Sequence, residues 1–204
     1  MPADTADRIL EAACELIAED GIDEVRIARV AQRAGASTSL VHHYFSTREE
    51  LLEQALVHSF EQAGDERFGE DAATGSGTAV QGLAAAIRES LPYPGGQQRE
   101  WVLWVELWLR AVRDPDLRPV AARMYERYRA WMTEVIVAGV ESGEFRADVD
   151  VERTADMAVA LLDGTGVRAL FDDPGMNVET ARAAVATALA REVGIEPAAL
   201  LDRA

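Results

Sequence analysis

Lysine is absent from this chain: all 20 basic residues are arginine, set against 36 aspartates and glutamates, so 204 residues carry a formal net charge of −16. So acidic a body is repelled by phosphate, which argues against nonspecific coating of a nucleic acid. Cysteine occurs once, at Cys14, which excludes an internal disulfide; on a short amphipathic helix it reads as an inert small side chain, not a redox sensor. No apolar run approaches the roughly 18 residues of a membrane-spanning helix. The opening Met1-Pro-Ala-Asp-Thr-Ala-Asp7 lacks the basic flank and apolar core of a secretory signal, and a soluble, cytoplasmic protein is expected. No strand signal and no internal repeat stand out, so the expected class is all-α, with about nine helices. Also missing are a Gly-x-Ser-x-Gly elbow, a phosphate-binding loop and zinc-ligand spacing, and histidines number three. An enzyme is therefore not expected, and neither is a cofactor.

One further absence is local. From Val25 to Arg48 there is no acidic residue, while four arginines and two histidines fall in the same stretch. Ile27, Val30, Ala31 and Ala34 recur at the i, i+3, i+4, i+7 spacing of one helix face, and Arg26, Arg29 and Arg33 fall on another. Gly35 follows the last periodic residue, where a left-handed backbone ends a helix at no steric cost, and Ser37 suits the N-cap of the next. Two short helices joined by a tight glycine turn form a helix-turn-helix. The second, Thr38 to Tyr44, is too short to stand alone and needs Val41 and Phe45 as anchors, which turns its other side chains outward. Thr38 and Ser39 occupy a first turn that favours phosphate; Leu40 suits a thymine methyl, and His42, His43 and Tyr44 supply donors or stacking rings. Thr47 and Glu50 then make a capping box for a long helix whose first turn carries Arg48. The expected nucleic-acid face is thus Arg26, Arg29, Arg33, Ser37, Thr38, Ser39, Leu40, His42, His43, Tyr44 and Arg48. No metal is expected at His42 and His43, because adjacent helix positions diverge by about 100° and no Cys or carboxylate lies at ligand spacing.

With those residues in view, positions 7 to 56 resemble the DNA-binding domain of TetR-family transcriptional regulators. The matching runs are Ile9-Leu10-x-Ala-Ala13-x-x-Leu16-Ile17-Ala-Glu-x-Gly21, Val30-Ala31-x-x-Ala34-Gly35-x-Ser37 and His43-Tyr44-Phe45-x-x-Arg48-Glu49-x-Leu51-Leu52. The resemblance implies that the helix from position 38 enters the major groove and that the next helix couples this head to a ligand-binding body. Two positions depart from the pattern: His42 stands where the family most often has Tyr, and Arg26 stands where a Thr usually caps the helix. The division implied is residues 1–50 for DNA binding and 51–204 for effector binding and dimerisation.

Beyond the head, helices are expected from Arg48 to about Ala63, Thr78 to Leu91, Gln97 to Arg113, Asp114 to about Ser142, 151 to 171 and 177 to 193. Between the first two, Gly64 to Gly77 reads as a polar connection. The last two helices carry apolar or small residues over most of their surface, more than one thin layer can bury. Pairing with a two-fold copy into a four-helix bundle would cover them, as the family's dimer helices do. Two recognition helices about 34 Å apart would then match a palindromic operator.

The aromatics cluster. Trp101, Trp104, Val105 and Trp108 form one helical stripe and Met124, Tyr125, Tyr128, Trp131 and Met132 another. These are core residues or the wall of an effector pocket, with Glu100, Glu106 and Asp163 as candidate acidic anchors for a cationic ligand. Trp104 to Arg118 is faintly similar to the effector domain of choline-responsive betaine-synthesis repressors. The favoured expectation is a homodimeric, effector-released repressor. Four phosphate contacts per subunit would give a log–log salt slope of roughly −7. A helical protein-binding module without DNA contact is the alternative, and an all-α enzyme, with His58 as its one remaining candidate base, a more distant one.

Overall fold

The computed structural model describes residues 5–68 and 77–201. Among them all regular structure is helical: α1 Thr5–Asp20, α2 Ile27–Arg33, α3 Thr38–Tyr44, α4 Arg48–Phe68, α5 Ala79–Glu89, α6 Gly96–Arg113, α7 Arg118–Glu141, α8 Val151–Leu170, α9 Val178–Val193 and α10 Ala198–Leu201. Short 3₁₀ turns occupy Ile22–Glu24 and Pro115–Leu117.

Local chemistry sets most of the boundaries. The Thr78 hydroxyl accepts the Gln81 N–H at 3.2 Å while the Gln81 side chain accepts the Thr78 N–H at 2.9 Å, a capping box that starts α5. Asp150 caps α8 through the Arg153 N–H at 3.2 Å, and Asn177 caps α9 through that of Thr180 at 2.8 Å. Two boundaries and one short element differ from the sequence reading. Helix α4 continues through Gly64 to Phe68, because one interior glycine costs only about 1 kcal/mol, too little to stop a long helix; of the expected polar connection, residues 69–76 lie outside the described ones. Asp114 accepts the Asp116 N–H at 2.9 Å as a cap, but what it opens is the 3₁₀ turn, and α7 starts at Arg118. The four-residue α10 is too short to show a period.

The chain forms two compact units. The first comprises residues up to 65 together with 99–124. In it α1 packs on α2 and on the first 3₁₀ turn, and α2 packs on α3. Ile9, Ala13, Leu16 and Ile17 of α1 are buried, as are Val30, Val41, Phe45, Leu51, Leu52, Ala55 and Leu56. The Cys14 thiol donates to the Ala55 carbonyl at 3.1 Å, and burial pushes its pKa up to about 12, so it is a neutral packing group.

The second unit comprises 66–98 and everything after Met124. Helix α8 lies against α9, and α5 meets α9 and α10. Leu83, Ile87, Met132, Ile136, Phe145, Leu162, Val185, Leu189 and Val193 belong to its core. Glu144 caps α5 from across the unit, accepting the N–H groups of Ala79 and Val80 at 3.0 and 3.3 Å. These bonds to the ionised form hold its pKa below the usual carboxylate value.

Candidate nucleic-acid interface and effector site

The turn between α2 and α3 is built on backbone geometry. Gly35 has φ of +64°, the Ala36 N–H donates to the Ala31 carbonyl at 2.9 Å, and the Gly35 N–H donates to Gln32 at 3.3 Å. This is the Schellman arrangement, and it needs a residue without Cβ at the left-handed position. The Ser37 hydroxyl accepts the Leu40 N–H at 3.1 Å and starts α3 at the next residue.

Helix α3 presents two unlike faces. Val41 and the following Phe45 are 0% and 2% exposed, whereas Thr38, Ser39, Leu40, His42, His43 and Tyr44 are all exposed. Leu40 and Tyr44 are among the few large apolar side chains on the surface of the described residues, and they sit one helical turn apart. An apolar pair framed by hydroxyls and imidazoles is a surface shaped for contact. The Thr47 hydroxyl accepts the Glu50 N–H at 3.0 Å and starts α4; the Glu50 carboxylate reaches back one residue further than the usual box, to the Ser46 N–H at 2.8 Å.

The four arginines are engaged within the unit. Arg33 is bidentate on Glu19, at 2.8 and 3.1 Å, and donates to Glu15 at 2.8 Å. The hydrogen bond from Arg33 holds Glu19 below its ordinary pKa, and the two carboxylates raise that of Arg33. Arg29 pairs with Asp20 at 2.8 Å. Arg26, which makes no side-chain cap for α2, donates to the Asp23 carbonyl at 2.6 Å. Arg48 reaches back to the segment after α1, with Nε on Val25 O at 2.7 Å and Nη2 on Ile22 O and Asp23 O at 2.6 and 3.1 Å. The sequence reading missed the groups that hold these arginines. Glu15 and Glu19 stand four apart on α1, which marks them as one helix face, but which face of α2 they meet follows from packing alone.

The residues considered for an effector divide between the units. In the first, the Trp101 ring lies 5.7 Å from that of Trp104 and 6.0 Å from that of Trp108, and Phe60 packs 6.1 Å from Trp104. Trp101 and Trp104 are buried, and Trp108 and Glu106 are half-buried. Burial raises the Glu106 pKa, with Arg110 opposing. In the second unit Tyr128 and Trp131 stack with centroids 6.2 Å apart. There the Tyr125 hydroxyl donates to Asp163 Oδ2 at 2.7 Å. Burial pushes the Asp163 pKa up to about 6 against that hydrogen bond, and burial beside the carboxylate raises the Tyr125 phenol as well. The sequence reading marked Tyr125 and Asp163 separately; their pairing across 38 residues carries no local signal. His58 is half-buried in α4, and among the described residues no group of His, Cys, Asp and Glu is arranged to hold a metal ion.

A glycine-turned helix pair with one anchored and one free face is the architecture of a helix-turn-helix regulator. Residues 9–55 match the bacterial regulatory proteins of the tetR family, and residues 79–194 match the C-terminal domain of BetI-type transcriptional repressors. The chain belongs to the TetR family of transcriptional regulators, which are not enzymes, and its C-terminal region is of the BetI type. A protein from Saccharomonospora viridis, described as a transcriptional regulator and solved in complex with choline, is 30% identical, with a TM-score of 0.78 over 90% of this chain and 94% of that one. The HTH-type transcriptional regulator BetI of Escherichia coli is 26% identical, over 79% of this chain and 80% of its own. The fatty acid metabolism regulator protein of Bacillus subtilis is 25% identical, over 81% and 84%. No helix among the described residues is long and apolar enough to cross a membrane.

Proposed function

We propose that the protein is a cytoplasmic, homodimeric repressor that reads a palindromic operator through α3 and is released by a small-molecule effector. The observation that carries the reading is the division of α3, with Val41 and Phe45 anchored and six consecutive or near-consecutive side chains exposed. Ser37, Thr38, Ser39, Leu40, His42, His43 and Tyr44 face the duplex, with Arg26 and Arg29 beside them. The N-terminal head binds DNA; the body from α4 onward carries the effector site and the dimer face. Footprinting of the purified protein on the promoter region of its own gene tests this: a protected two-fold symmetric site is expected, and absence of sequence-specific protection refutes it.

Dimerisation is supported by the outer side of α8 and α9. Ala160, Gly164 and Ala184 are exposed there, and Met157, Leu161 and Ala188 are half-buried. A small-residue surface of this kind lets two helix pairs approach closely.

For the effector we propose an organic cation. Asp163 is a largely buried carboxylate in the unit that also holds the stacked Tyr128 and Trp131 rings. An aromatic, acidic site suits a quaternary ammonium group, and the Saccharomonospora viridis protein is solved in complex with choline. In the first unit Trp101 and Trp104 belong to the buried core, whereas Trp108 and Glu106 are half-buried. Adding choline to the operator complex should release DNA, and Asp163→Asn should abolish that release while leaving operator binding in place.

A further inference from the structure

Salt dependence in protein–DNA binding comes from cations that replace counterions at phosphates. The head of this protein is poorly supplied with them: between Thr5 and Leu56 five arginines stand among ten aspartates and glutamates. Of the four near the helix-turn-helix, two are held by several acceptors at once. Arg33 spends both terminal nitrogens on Glu15 and Glu19. Arg48 is the least exposed of the ion-paired arginines in the head, with a side chain 26% exposed, and it satisfies three backbone carbonyls of the segment Ile22 to Val25. Turning Arg48 toward a phosphate would strip the Ile22 carbonyl of this donor and leave those of Asp23 and Val25 to Arg26 alone, and turning Arg33 would leave two carboxylates without a counter-charge. Arg26 and Arg29 are less committed, each having one side-chain carboxylate or the carbonyls of its own turn.

We infer that Arg33 and Arg48 are positioning residues, internal clamps that tie α2 to α1 and the start of α4 to the turn after α1. The duplex is then gripped mainly by the uncharged donors and apolar groups of α3. This rests on the DNA-binding reading above. It has a quantitative consequence: with Arg26 and Arg29 as the phosphate-contacting cations in each of two subunits, the log–log salt slope is about −4 or shallower, not −7.

The test is fluorescence anisotropy of the full-length protein on a duplex carrying its footprinted site, across a range of salt concentrations, with thermal melting of each variant. The wild type should give a slope no steeper than about −4. Arg29→Gln should flatten it by about 2, one contact per subunit of the dimer. Arg33→Gln should lower the Tm and weaken binding several-fold with its slope unchanged. Glu15→Gln with Glu19→Gln keeps every arginine and releases Arg33, so the slope should steepen by about 2. A wild-type slope near −7, a flattening of about 2 in Arg33→Gln, or no steepening in the double variant would each overturn the clamp assignment. Should Arg33→Gln fail to fold, the wild-type slope and the double variant still decide. A protein that binds no duplex specifically at any salt refutes the DNA-binding reading itself, an outcome distinct from a steep slope.

Discussion

Asp163 shows how a single residue can be legible as a type and opaque as a state. Its carboxyl is an ordinary acid in the sequence; burial raises its pKa to about 6, and the Tyr125 hydroxyl only partly offsets this. Since the folded form holds the proton more tightly than the unfolded one, this group's contribution to stability is most favourable at low pH. It falls as pH rises from about 4 to about 6, and above that the full cost of burying the charge remains. Asp163→Asn keeps an acceptor for Tyr125 and removes that charge. The variant should be stabilised by roughly 1–3 kcal/mol at neutral pH, and Tm measured from pH 4 to 7 should lose the component that declines across that window. A variant no more stable than wild type at pH 7 would show that the carboxylate is better solvated than its burial implies.

At the scale of elements, caps and anchors decided most of what could be read in advance. The end of α2, the Ser37 cap, the Thr47 start of α4 and the two anchors of α3 follow from residue types at fixed offsets, which is why a seven-residue helix could be recognised at all. Since α3 cannot hold itself together, Phe45→Ala should cost about 3–5 kcal/mol, seen by calorimetry as a lower Tm, and should abolish operator binding. The pairing of Glu15 and Glu19 with Arg33 lay beyond such rules, because the angle between α1 and α2 is set by packing and no local offset encodes it. Glycine also acts at this scale. A Cβ on Gly139 in α7 would fall inside the buried ring of Phe145, whose own N–H bonds the Gly139 carbonyl at 2.9 Å. Gly139→Ala should therefore destabilise the protein by about 1–3 kcal/mol through overpacking, read from denaturant melts; a neutral result would mean the loop after α7 can yield.

For the whole molecule, an acidic protein of a DNA-binding family has to approach a polyanion, and the dimer proposed above has to cover an exposed helix face. The acid-free stretch from Val25 to Arg48 marks the proposed approach, and the exposed small residues of α8 and α9 mark the proposed mate. Ala160 is exposed, so a charge there costs the protomer little, yet it would be buried in a dimer built on this face. Ala160→Glu should sediment near 22.2 kDa, the mass of one chain, while the wild type sediments near twice that. A variant that stays dimeric would move the interface elsewhere.

The all-helical class, the helix-turn-helix and its anchors, and most helix limits were determined by the chain alone, since each rests on a period, a cap or a glycine acting within a few residues. Tertiary structure alone decided which carboxylates hold the arginines, that Tyr125 meets Asp163, and that Arg48 serves three carbonyls behind it. Those pairings join groups 14 to 38 residues apart, and at such separations a charge has many equally plausible partners until packed helices leave only a few within reach.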